Sequence, residues 1–385
     1  MFLNNYLNIS ILYICMIINL YEKKWNFKKN LTISKGEIKS GKNYYLELIN
    51  NNIIAYGEAS PAPEFINGKK LEYWSDINTV KKDLIYLIEN INLQNITFNT
   101  IKDLHRNYNH LCKESLATFD MLLHDYLAKK QKIPVWKLYT KDENKNSLLT
   151  ITCINNNNLK DIIDFIQKNK NKYSLLKFKV TKKNKDILPW NKFKDLIINL
   201  DFNGMYSSFS EFESDFLSKI SSKQKIIFEE PFNFNKLNSE DINKFNQILK
   251  NPNFSLVFDD SLNNIDNYNK ILNSNINCGF NLKIQKLGGI YPCYQIFKEN
   301  PTKQFMIGCM TETSLGISSA IQLGNIINCS KDNVLLLDLD SDILLDSLED
   351  NSPSSNKFKR KVKELIGLGY TPNITNLKKI YTKSD

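Results

Sequence analysis

The segment SLLKFKV, residues 174–180, is an apolar run that contains two lysines, Lys177 and Lys179. If the run is a β-strand, both lysines lie on one face, because side chains repeat every two residues along a strand. A solvent-exposed sheet face would account for a single strand of this kind, since lysine is rarely buried without a partner. The meaning of the pair therefore depends on the strands predicted beside it.

The same pattern recurs from residue 148 onward, as short apolar runs separated by longer helix-forming or loop stretches. The eight runs are LLTITCI (148–154), LLKFKV (175–180), IINLDFN (197–203), KIIFEEP (225–231), SLVFDDS (255–261), GFNLKIQK (279–286), QFMIGCM (304–310) and VLLLDLD (334–340). Apolar strands alternating with crossovers predict a parallel sheet covered on both faces. Eight such units predict an α/β fold with a (β/α)₈-type, modified TIM barrel; a doubly wound open sheet is the alternative.

An α+β region is predicted ahead of the barrel. Residues 16–60 read as a meander with the strands IINLYEKKWNF, NYYLELIN and IIAYGEASP. Residues 28–42 and 59–70 read as loops because they are rich in turn-forming residues. The segment 113–130 is a predicted helix with one apolar face. That face is formed by Leu116, Phe119, Leu123, Tyr126 and Leu127.

The net charge of +10 comes almost entirely from lysine, with Arg106 and Arg360 as the only arginines. Because base and phosphate recognition favour the arginine fork, no nucleic-acid partner is expected. The apolar segment 7–21 contains polar residues, lacks the basic start of a signal peptide and is too short for a confident membrane span, so no membrane partner is expected.

The seven cysteines form no CxxC pairs, and the three histidines all fall in the first third of the chain. Widely spaced cysteines of this kind are typical of reduced thiols in a cytoplasmic protein. The histidine positions argue against a histidine-based hydrolase or a zinc site in the barrel.

Acidic residues end the third, fourth and fifth runs. Asp201, Glu229 and Asp259 each lie near the C-terminal end of a predicted strand, which is where barrel active sites are built. One such acid is usually a helix cap, but three on consecutive strands converge on one point. Three carboxylates without imidazole or thiolate make an oxygen-only site that suits Mg²⁺.

Strand periodicity limits which of the doubled acids faces the barrel interior. Glu229 and Glu230 point to opposite faces, and so do Asp259 and Asp260. We assign the first of each pair to the metal. Glu230, Asp260 and Asn203 of the DFN motif are then predicted to support the ligands from behind.

The sixth run supplies Lys283 and Lys286, whose opposite parity predicts that at most one reaches the cavity. Strands two and six lie nearly across a barrel's diameter, so one lysine from each can face the metal from opposite sides. A nearby divalent cation lowers the pKa of a lysine and makes it available as a base. A metal, two opposed bases and a carboxylate substrate predict removal of the proton α to that carboxylate.

These motifs resemble the enolase superfamily, specifically its muconate-lactonising subgroup, over about residues 16–345. The resemblance rests on KFK, DFN, EEP, DDS and KIQKLGG, in this order on strands two to six. It implies paired acid/base catalysis by Lys179 and Lys283, with Lys177 assisting Lys179 electrostatically. It also implies one Mg²⁺ per subunit. The implied Mg²⁺ ligands are Asp201, Glu229 and Asp259.

The resemblance also implies the domain organisation. Residues 1–15 would be an extension or an upstream start, and residues 131–345 the barrel catalytic domain. Residues 16–130 are similar to the family's capping domain, completed by the C-terminal segment 346–385. The LTISKGE and SPAPEF segments would close over the substrate.

The last two strands indicate a substrate. VLLLDLD ends with Asp338 and Asp340 on one face, and GCMTETSLGIS, which contains the candidate substrate-binding residue Glu312, precedes it. Both are similar to dipeptide epimerases, in which an Asp-x-Asp pair binds the substrate's free α-ammonium. Lys35, in LTISKGE, is a candidate contact for an acidic substrate side chain. The prediction is a Mg²⁺-dependent isomerase that inverts the C-terminal Cα of a dipeptide by two-base 1,1-proton transfer through an enediolate.

Two alternatives remain open. An o-succinylbenzoate synthase-type dehydratase uses the same scaffold, but it has no ammonium to bind, so the acids on strand eight count against it. A catalytically silent ligand-binding barrel is disfavoured because unpaired buried charge is unfavourable without a use. The segment MYSSFSEFES (205–214) lacks the tryptophan usual in the family after the DFN motif, which leaves the choice of substrate open. The oligomeric state is open too, a homo-oligomer included.

Overall fold

The computed structural model describes thirteen stretches of the chain. They are residues 16–33, 36–68, 74–141, 148–149, 152–154, 163–164, 175–182, 185–186, 196–330, 334–346, 352–353, 359–360 and 365–384. The predictions for residues 1–15 and for Lys35 lie outside them.

Two kinds of sheet are present, and their strands are numbered along the chain. The strands are β1 (Ile17–Ile33), β2 (Gly36–Asn50), β3 (Ile53–Ala59), β4 (Glu64–Gly68), β5 (Leu148–Leu149), β6 (Thr152–Ile154), β7 (Leu175–Lys179), β8 (Ile197–Asp201), β9 (Ile226–Glu229), β10 (Phe254–Phe258), β11 (Gly279–Lys283), β12 (Phe305–Gly308), β13 (Val334–Asp338), β14 (Lys359–Arg360) and β15 (Lys378–Ser384).

The α-helices are numbered in the same way. They are α1 (Ile77–Asn90), α2 (Phe98–Asn107), α3 (Lys113–Gln131), α4 (Phe209–Asp215), α5 (Ser239–Ile248), α6 (Ile265–Asn273), α7 (Ile284–Leu287), α8 (Ile290–Glu299), α9 (Ser314–Ser330) and α10 (Ser341–Leu344). Across the described residues, no helix combines the length and the apolar content needed to span a membrane.

An antiparallel sheet with the order β15-β1-β2-β3 forms the N-terminal part, and β4 also pairs with β2. Asn51 and Asn52 both have positive φ and connect β2 to β3, which is the backbone of a tight two-residue hairpin. The loops predicted at residues 28–42 and 59–70 are wrong where β1, β2 and β4 run through them. The polar residues of these segments led to the loop prediction. They nevertheless belong to strands of a long hairpin, since pairing between strands does not require an apolar sequence.

Helix α3 packs between this sheet and the barrel. The predicted apolar face is confirmed, since its five residues lie in one core cluster, but burial extends around the whole helix from Glu114 to Ala128. Its large apolar side chains pack with the N-terminal sheet and α1. Ala117, Met121 and Ala128 belong instead to the core shared with the barrel.

A buried acid joins α3 to the barrel. Asp120 accepts hydrogen bonds from His105 Nε2 at 2.8 Å and from the backbone N–H of Ile290 at 2.6 Å, where α8 begins. His124 Nδ1 lies 3.1 Å from the same carboxylate. Burial raises the pKa of Asp120, but the two histidine charges outweigh burial and lower it. The carboxylate of Asp120 therefore links α3 to the first residue of the barrel helix α8.

The second sheet contains β6 to β13, all paired in parallel and in the order in which they occur along the chain. The predicted barrel-type fold is confirmed, and a doubly wound sheet is excluded because the strand order never reverses. The sheet is curled, since the side chain of Lys177 on β7 reaches Asp338 on β13, with 2.7 Å between Nζ and Oδ2.

An apolar layer fills the barrel interior below its C-terminal edge. Ile227, Val257, Met306 and Leu336 form this cluster, one from each of four strands. Strand periodicity places the residues two positions later on the same inward face. These include Glu229, Asp259 and Asp338, so these acids lie directly above the apolar cluster.

Candidate active site

The site is built at the C-terminal ends of the barrel strands. The last residues of five strands are charged, and Asp259 directly follows a sixth, β10. These five residues are Lys179, Asp201, Glu229, Lys283 and Asp338. Because parallel strands end at the same edge, the sequence brings ammonium and carboxylate groups from across the barrel to one rim.

Lys177 lies at the centre of this rim and is almost completely buried, with 2% of its side chain exposed. Its Nζ lies 3.0 Å from Asp201 Oδ2, 2.8 Å from Glu229 Oε2 and 2.7 Å from Asp338 Oδ2. One ammonium thus contacts carboxylates from three strands. Such contacts offset the large penalty of burying a charge.

Lys179 and Asp201 form one of two lysine–aspartate pairs. The Lys179 ammonium donates to Asp201 Oδ2, the oxygen that Lys177 also contacts. Burial raises the pKa of Asp201, but the two lysine charges outweigh burial and lower it. Lys179 is more open than Lys177, with 19% of its side chain exposed. It is therefore the more accessible of the two amines.

Asp259 forms the second pair, and it holds two lysines. Lys283 Nζ lies 2.8 Å from Asp259 Oδ2, and Lys286 Nζ lies 2.9 Å from Oδ1 and 2.5 Å from the backbone oxygen. Burial opposes the ammonium form of Lys283, but the Asp259 charge outweighs burial and raises the pKa of Lys283. The two lysine charges likewise lower the pKa of Asp259, against the effect of burial.

The prediction that only one of these lysines reaches the cavity is wrong. Strand periodicity ends at Lys283, where β11 stops and the single helical turn α7 begins at Ile284. Residues three apart share a face in a helical turn, so Lys286 joins Lys283 on Asp259. Gly288, with φ of +95°, ends the turn in the left-handed conformation.

Glu229 is surrounded by donors. In addition to Lys177, the amides of Asn199 and Asn281 donate to its two oxygens at 2.7 and 3.2 Å. Burial and the charge of Asp201 raise the pKa of Glu229 to about 7. The oxygens Asn199 Oδ1 and Asn281 Oδ1 are buried and find no hydrogen-bond partner among the residues that the structure describes.

The three supporting residues lie just behind the rim. Glu230 accepts from the backbone N–H groups of Asp259 and Ser261 at 2.8 and 3.1 Å, and from the Ser261 hydroxyl. Burial and the charge of Asp260 raise the pKa of Glu230 to about 8. Asn203 donates its backbone N–H to Asp201 Oδ1 at 3.2 Å and its amide to Asp260 Oδ2 at 3.5 Å.

The positive φ values of Asn203 (+47°) and Glu230 (+43°) turn the chain sharply at the ends of β8 and β9. Non-glycine residues adopt this conformation infrequently, and strain of this kind is typical of functional sites. These turns take the two side chains out of the strand periodicity, so that Glu230 and Asn203 both reach the residues that follow β10.

Glu312 lies beside a second buried carboxylate. It accepts from the Met310 N–H, and burial together with the charge of Glu58 raises its pKa to about 8. Glu58, from β3, accepts from the backbone N–H groups of Thr313 and Gly316 at 2.8 and 2.7 Å, at the start of α9. A carboxylate at a helix N-terminus is stabilised by the helix dipole. The N-terminal sheet therefore contacts the barrel next to Glu312.

The two acids of the eighth predicted run, Asp338 and Asp340, lie in different surroundings at the end of β13. Asp338 ends β13 and contacts Lys177. Asp340 is half-buried and precedes α10, where its backbone oxygen accepts from the N–H groups of Ile343 and Leu344 at 3.2 and 3.3 Å. Lys35 lies outside the described residues, so its predicted substrate contact stays a prediction.

Sequence reasoning missed two residues of the site, Asn199 and Asn281, and misplaced a third, Lys286. Both asparagines lie two positions before a predicted site residue, so period-two reasoning places them on the inward face. The signal that could have identified the two asparagines is a polar residue inside an otherwise apolar strand. Lys286 was assigned to the wrong face because no strand signal marks the onset of a single helical turn.

The chemistry of Asp201, Glu229 and Asp259 fits Mg²⁺, since all three offer hard oxygen ligands in a buried setting. Among the described residues, no three carboxylate, imidazole or thiol groups are already gathered around a common ion position. Lysine ammonium groups contact all three carboxylates. A metal ion at this rim would therefore compete with the lysines for the same oxygens.

No family model and no curated protein sequence matches this chain. Solved structures do match its fold. A dipeptide epimerase from Enterococcus faecalis V583, solved with Mg and the dipeptide L-Leu-L-Tyr, is 18% identical with a TM-score of 0.72, over 92% of this chain and 99% of that one. One from Cytophaga hutchinsonii, solved with Mg and D-Ala-L-Val, is 18% identical with a TM-score of 0.75, over 95% and 99%.

An N-succinyl Arg/Lys racemase from Bacillus cereus ATCC 14579 is also similar, with 16% identity, a TM-score of 0.72 and coverage of 97% and 100%. A structure from Roseovarius nubinhibens ISM, described as a member of the enolase superfamily, is 14% identical with a TM-score of 0.75, over 97% and 100%. The resemblance inferred from the sequence motifs is thus confirmed at the level of the fold.

Proposed function

We propose that this chain is an isomerase of the epimerase/racemase type that inverts the Cα of the C-terminal residue of a dipeptide. The observation that carries the proposal is the pair of lysines, Lys179 and Lys283, each held on its own aspartate at one rim of the barrel. Inversion by 1,1-proton transfer needs a base on one face of the carbon and an acid on the other. Two amines from strands far apart in the sheet supply both.

The proton transfers are assigned to the lysines. In one direction, Lys179 in its amine form removes the Cα proton, and the ammonium of Lys283 delivers a proton to the opposite face. In the other direction the roles exchange. Asp259 favours the ammonium form of Lys283, which prepares this residue to act as the proton donor. Lys177 is assigned to the charge balance of Lys179, because the two share Asp201.

We assign Mg²⁺ binding to Asp201, Glu229 and Asp259. When bound, the ion would supply positive charge for the substrate carboxylate and for the negative charge that develops there as the proton leaves. Asn199 and Asn281 orient Glu229 by donating to its two oxygens. All three acids are buried, which strengthens these electrostatic interactions relative to those in water.

The dipeptide is proposed because it carries charge in the matching positions. Its terminal carboxylate would bind at the cationic centre of the rim. Its ammonium would bind at the acidic end of β13, the last barrel strand. The dipeptides L-Leu-L-Tyr and D-Ala-L-Val accompany two structures of similar fold, and they are suitable first members of a substrate library.

The test is deuterium exchange. Purified protein with Mg²⁺ and a dipeptide library in D₂O should incorporate deuterium at the C-terminal residue's Cα, and EDTA should abolish this exchange. Turnover of a cyclohexadiene substrate without dipeptide exchange would select the dehydratase instead. Failure to bind Mg²⁺ in calorimetry, with neither activity, would select the silent barrel.

Single variants separate the two lysines. Lys283→Ala and Lys179→Ala should each abolish epimerisation, while each still exchanges deuterium into the one epimer whose Cα–H faces the remaining amine. Lys270→Ala, an exposed lysine on α6, is the matched control and should behave as wild type. Full epimerisation by Lys283→Ala would show that this assignment is wrong.

A further inference from the structure

The helical turn α7 contains a buried glutamine between two lysines of the rim. Lys283 directly precedes the turn and Lys286 lies in it, and both contact Asp259. Residues three apart share a face of a helical turn, so Gln285 points away from Asp259. Gln285 is 1% exposed, and a buried amide is stable only when its donor and its acceptor both have partners. Its partners therefore show what the turn contacts on its other side.

Both polar atoms of the Gln285 amide bond to the backbone of the N-terminal sheet. Nε2 donates to the backbone oxygen of Glu58 at 2.8 Å, and Oε1 accepts from the N–H of Ser60 at 3.1 Å. These two groups lie on either side of Ala59, the last residue of β3. A parallel strand would offer one peptide N–H and one peptide oxygen to the same two groups. Gln285 thus takes the place of a neighbouring strand beside β3, the last strand in its sheet.

Ser60 is held by three different segments. Besides its bond to Gln285, its backbone oxygen accepts from Trp74 Nε1 at 2.9 Å. Its hydroxyl lies 2.9 Å from the hydroxyl of Thr311, in the loop after β12. Ser60 is completely buried. The end of β3 is therefore fixed against the segments that follow β11 and β12, and the first of these is the turn next to Lys283.

The orientation of α7 depends on its polar contacts. A helix of four residues is too short to be stable alone, so its position is set by the contacts that it makes. Ile284 and Leu287 belong to the core shared with the barrel, but apolar packing is not directional. The hydrogen bonds of Lys286 and Gln285 are directional, and they hold the turn from two sides.

We propose that Gln285 is a positioning residue that orients the turn beside Lys283 by linking it to the end of β3. The link holds the turn from the side opposite Asp259, and it thereby directs the Lys283 amine at the substrate's Cα. Lys179 lies on β7 and is positioned through Asp201 instead. The effect on Lys283 rests on the proposed function, whereas the link between Gln285 and β3 does not.

The first experiment replaces Gln285 with methionine, which keeps the length of the side chain but has no N–H to donate. Deuterium exchange into each epimer is measured over a range of dipeptide concentrations. Gln285→Met should lower kcat about tenfold for the epimer whose Cα–H faces Lys283, with KM nearly unchanged. The epimer that faces Lys179 should be affected less. Equal losses for the two epimers, or a raised KM with unchanged kcat, overturn the positioning role.

Gln322→Met is the matched control. Gln322 is also a buried glutamine that bridges two backbone groups, since its Oε1 accepts from the Trp136 N–H at 3.1 Å and its Nε2 donates to the Leu368 oxygen at 3.2 Å. It lies about two turns into α9, beyond the end that follows the rim. Gln322→Met should lower the melting temperature as Gln285→Met does, but it should keep the wild-type ratio of the two exchange rates.

The second experiment needs no substrate. Exchange of backbone amide hydrogens is followed by mass spectrometry in peptides that contain Ser60. In Gln285→Met the Ser60 N–H loses its acceptor, so it should exchange about tenfold faster than in wild type. Gln322→Met should leave this rate unchanged, which separates loss of the link from general destabilisation. Unchanged protection of Ser60 in Gln285→Met overturns the link.

Gln285→Glu serves if the methionine variant does not fold. An ionised glutamate keeps an acceptor for the Ser60 N–H but has no donor for the Glu58 oxygen, and it should show the same selective loss for one epimer. Failure of both variants to fold overturns the proposal, because a positioning residue is not required for folding. If wild type exchanges deuterium with no dipeptide, the proposed function fails, whereas amide exchange at Ser60 still decides the link.

Discussion

Replacing Gly308 with alanine should disable one of the two catalytic lysines. Gly308 ends β12, and a Cβ built there would lie 2.8 Å from Lys283 Cε and 2.5 Å from Asn281 Oδ1. Ordinary carbon–carbon contact is about 3.5–4.0 Å, so Lys283 must move by about 0.7 Å or more. Overpacking of this kind lowers the free energy of unfolding by about 1–3 kcal/mol. A shift of about 1 Å in a reacting group lowers the rate by about 100-fold.

Deuterium exchange measured on each epimer separately is the appropriate assay. Gly308→Ala should lower exchange by about 10- to 100-fold for the epimer whose Cα–H faces Lys283. Exchange of the other epimer, which faces Lys179, should fall less, because it is affected only through the contact of Asn281 with Glu229. A general loss of structure would lower both rates together, so the difference between the epimers identifies the displaced lysine.

Gly279→Ala is the matched control for stability. Gly279 lies at the other end of the β11–β12 pair, where a Cβ would lie 2.6 Å from the backbone oxygen of Gln304. This variant should also be destabilised in urea denaturation but should keep the wild-type ratio of the two exchange rates. Wild-type exchange of both epimers by Gly308→Ala would refute the reasoning.

Three further predictions concern buried charges. Lys286→Met removes two contacts from Asp259 and should lower the free energy of unfolding in urea by about 1–3 kcal/mol. Asp120 has a lowered pKa, so its contribution to stability is present above about pH 4 and is lost as the pH falls further. Asp120→Asn should weaken this acid-induced loss in pH-dependent melting, and the half-exposed Asp103→Asn should not. Glu312 has a pKa raised to about 8, so its contribution to stability falls as the pH rises from about 4.3 to 8. Glu312→Gln should therefore gain stability relative to wild type by about 1.4 kcal/mol per pH unit within that window, and a pH-independent difference would contradict the raised pKa.

The sequence was sufficient to predict the barrel because parallel strands impose simple rules. Their apolar runs identify the strands, and their C-terminal ends collect at one edge. Lys177, Lys179, Asp201, Glu229 and Lys283 could therefore be placed at one rim from spacing alone. Period-two alternation also gives the inward face of each strand, as long as the strand continues.

The same rules failed where regular structure ends. Lys286 reaches Asp259 because a helical turn replaces the strand after Lys283, and one turn leaves too little periodicity to detect. The contact between Lys177 and Asp338 joins the second strand of the barrel to the last. Such a contact depends on how the sheet curls, which no local pattern encodes. The outer half of the hairpin of β1 and β2 was predicted as a loop because it is polar.

The pairing of β15 with β1 has a consequence for how the protein is made. Ile17 lies opposite Ser384, so the N-terminal sheet contains strands from both ends of the described chain. On the ribosome, β1 emerges early and waits with an unpaired edge while all the barrel strands are translated. Exposed edges of this kind invite pairing with other chains. Nascent chains arrested before residue 378 should therefore be prone to self-association, and this tendency should disappear once β15 has left the exit tunnel.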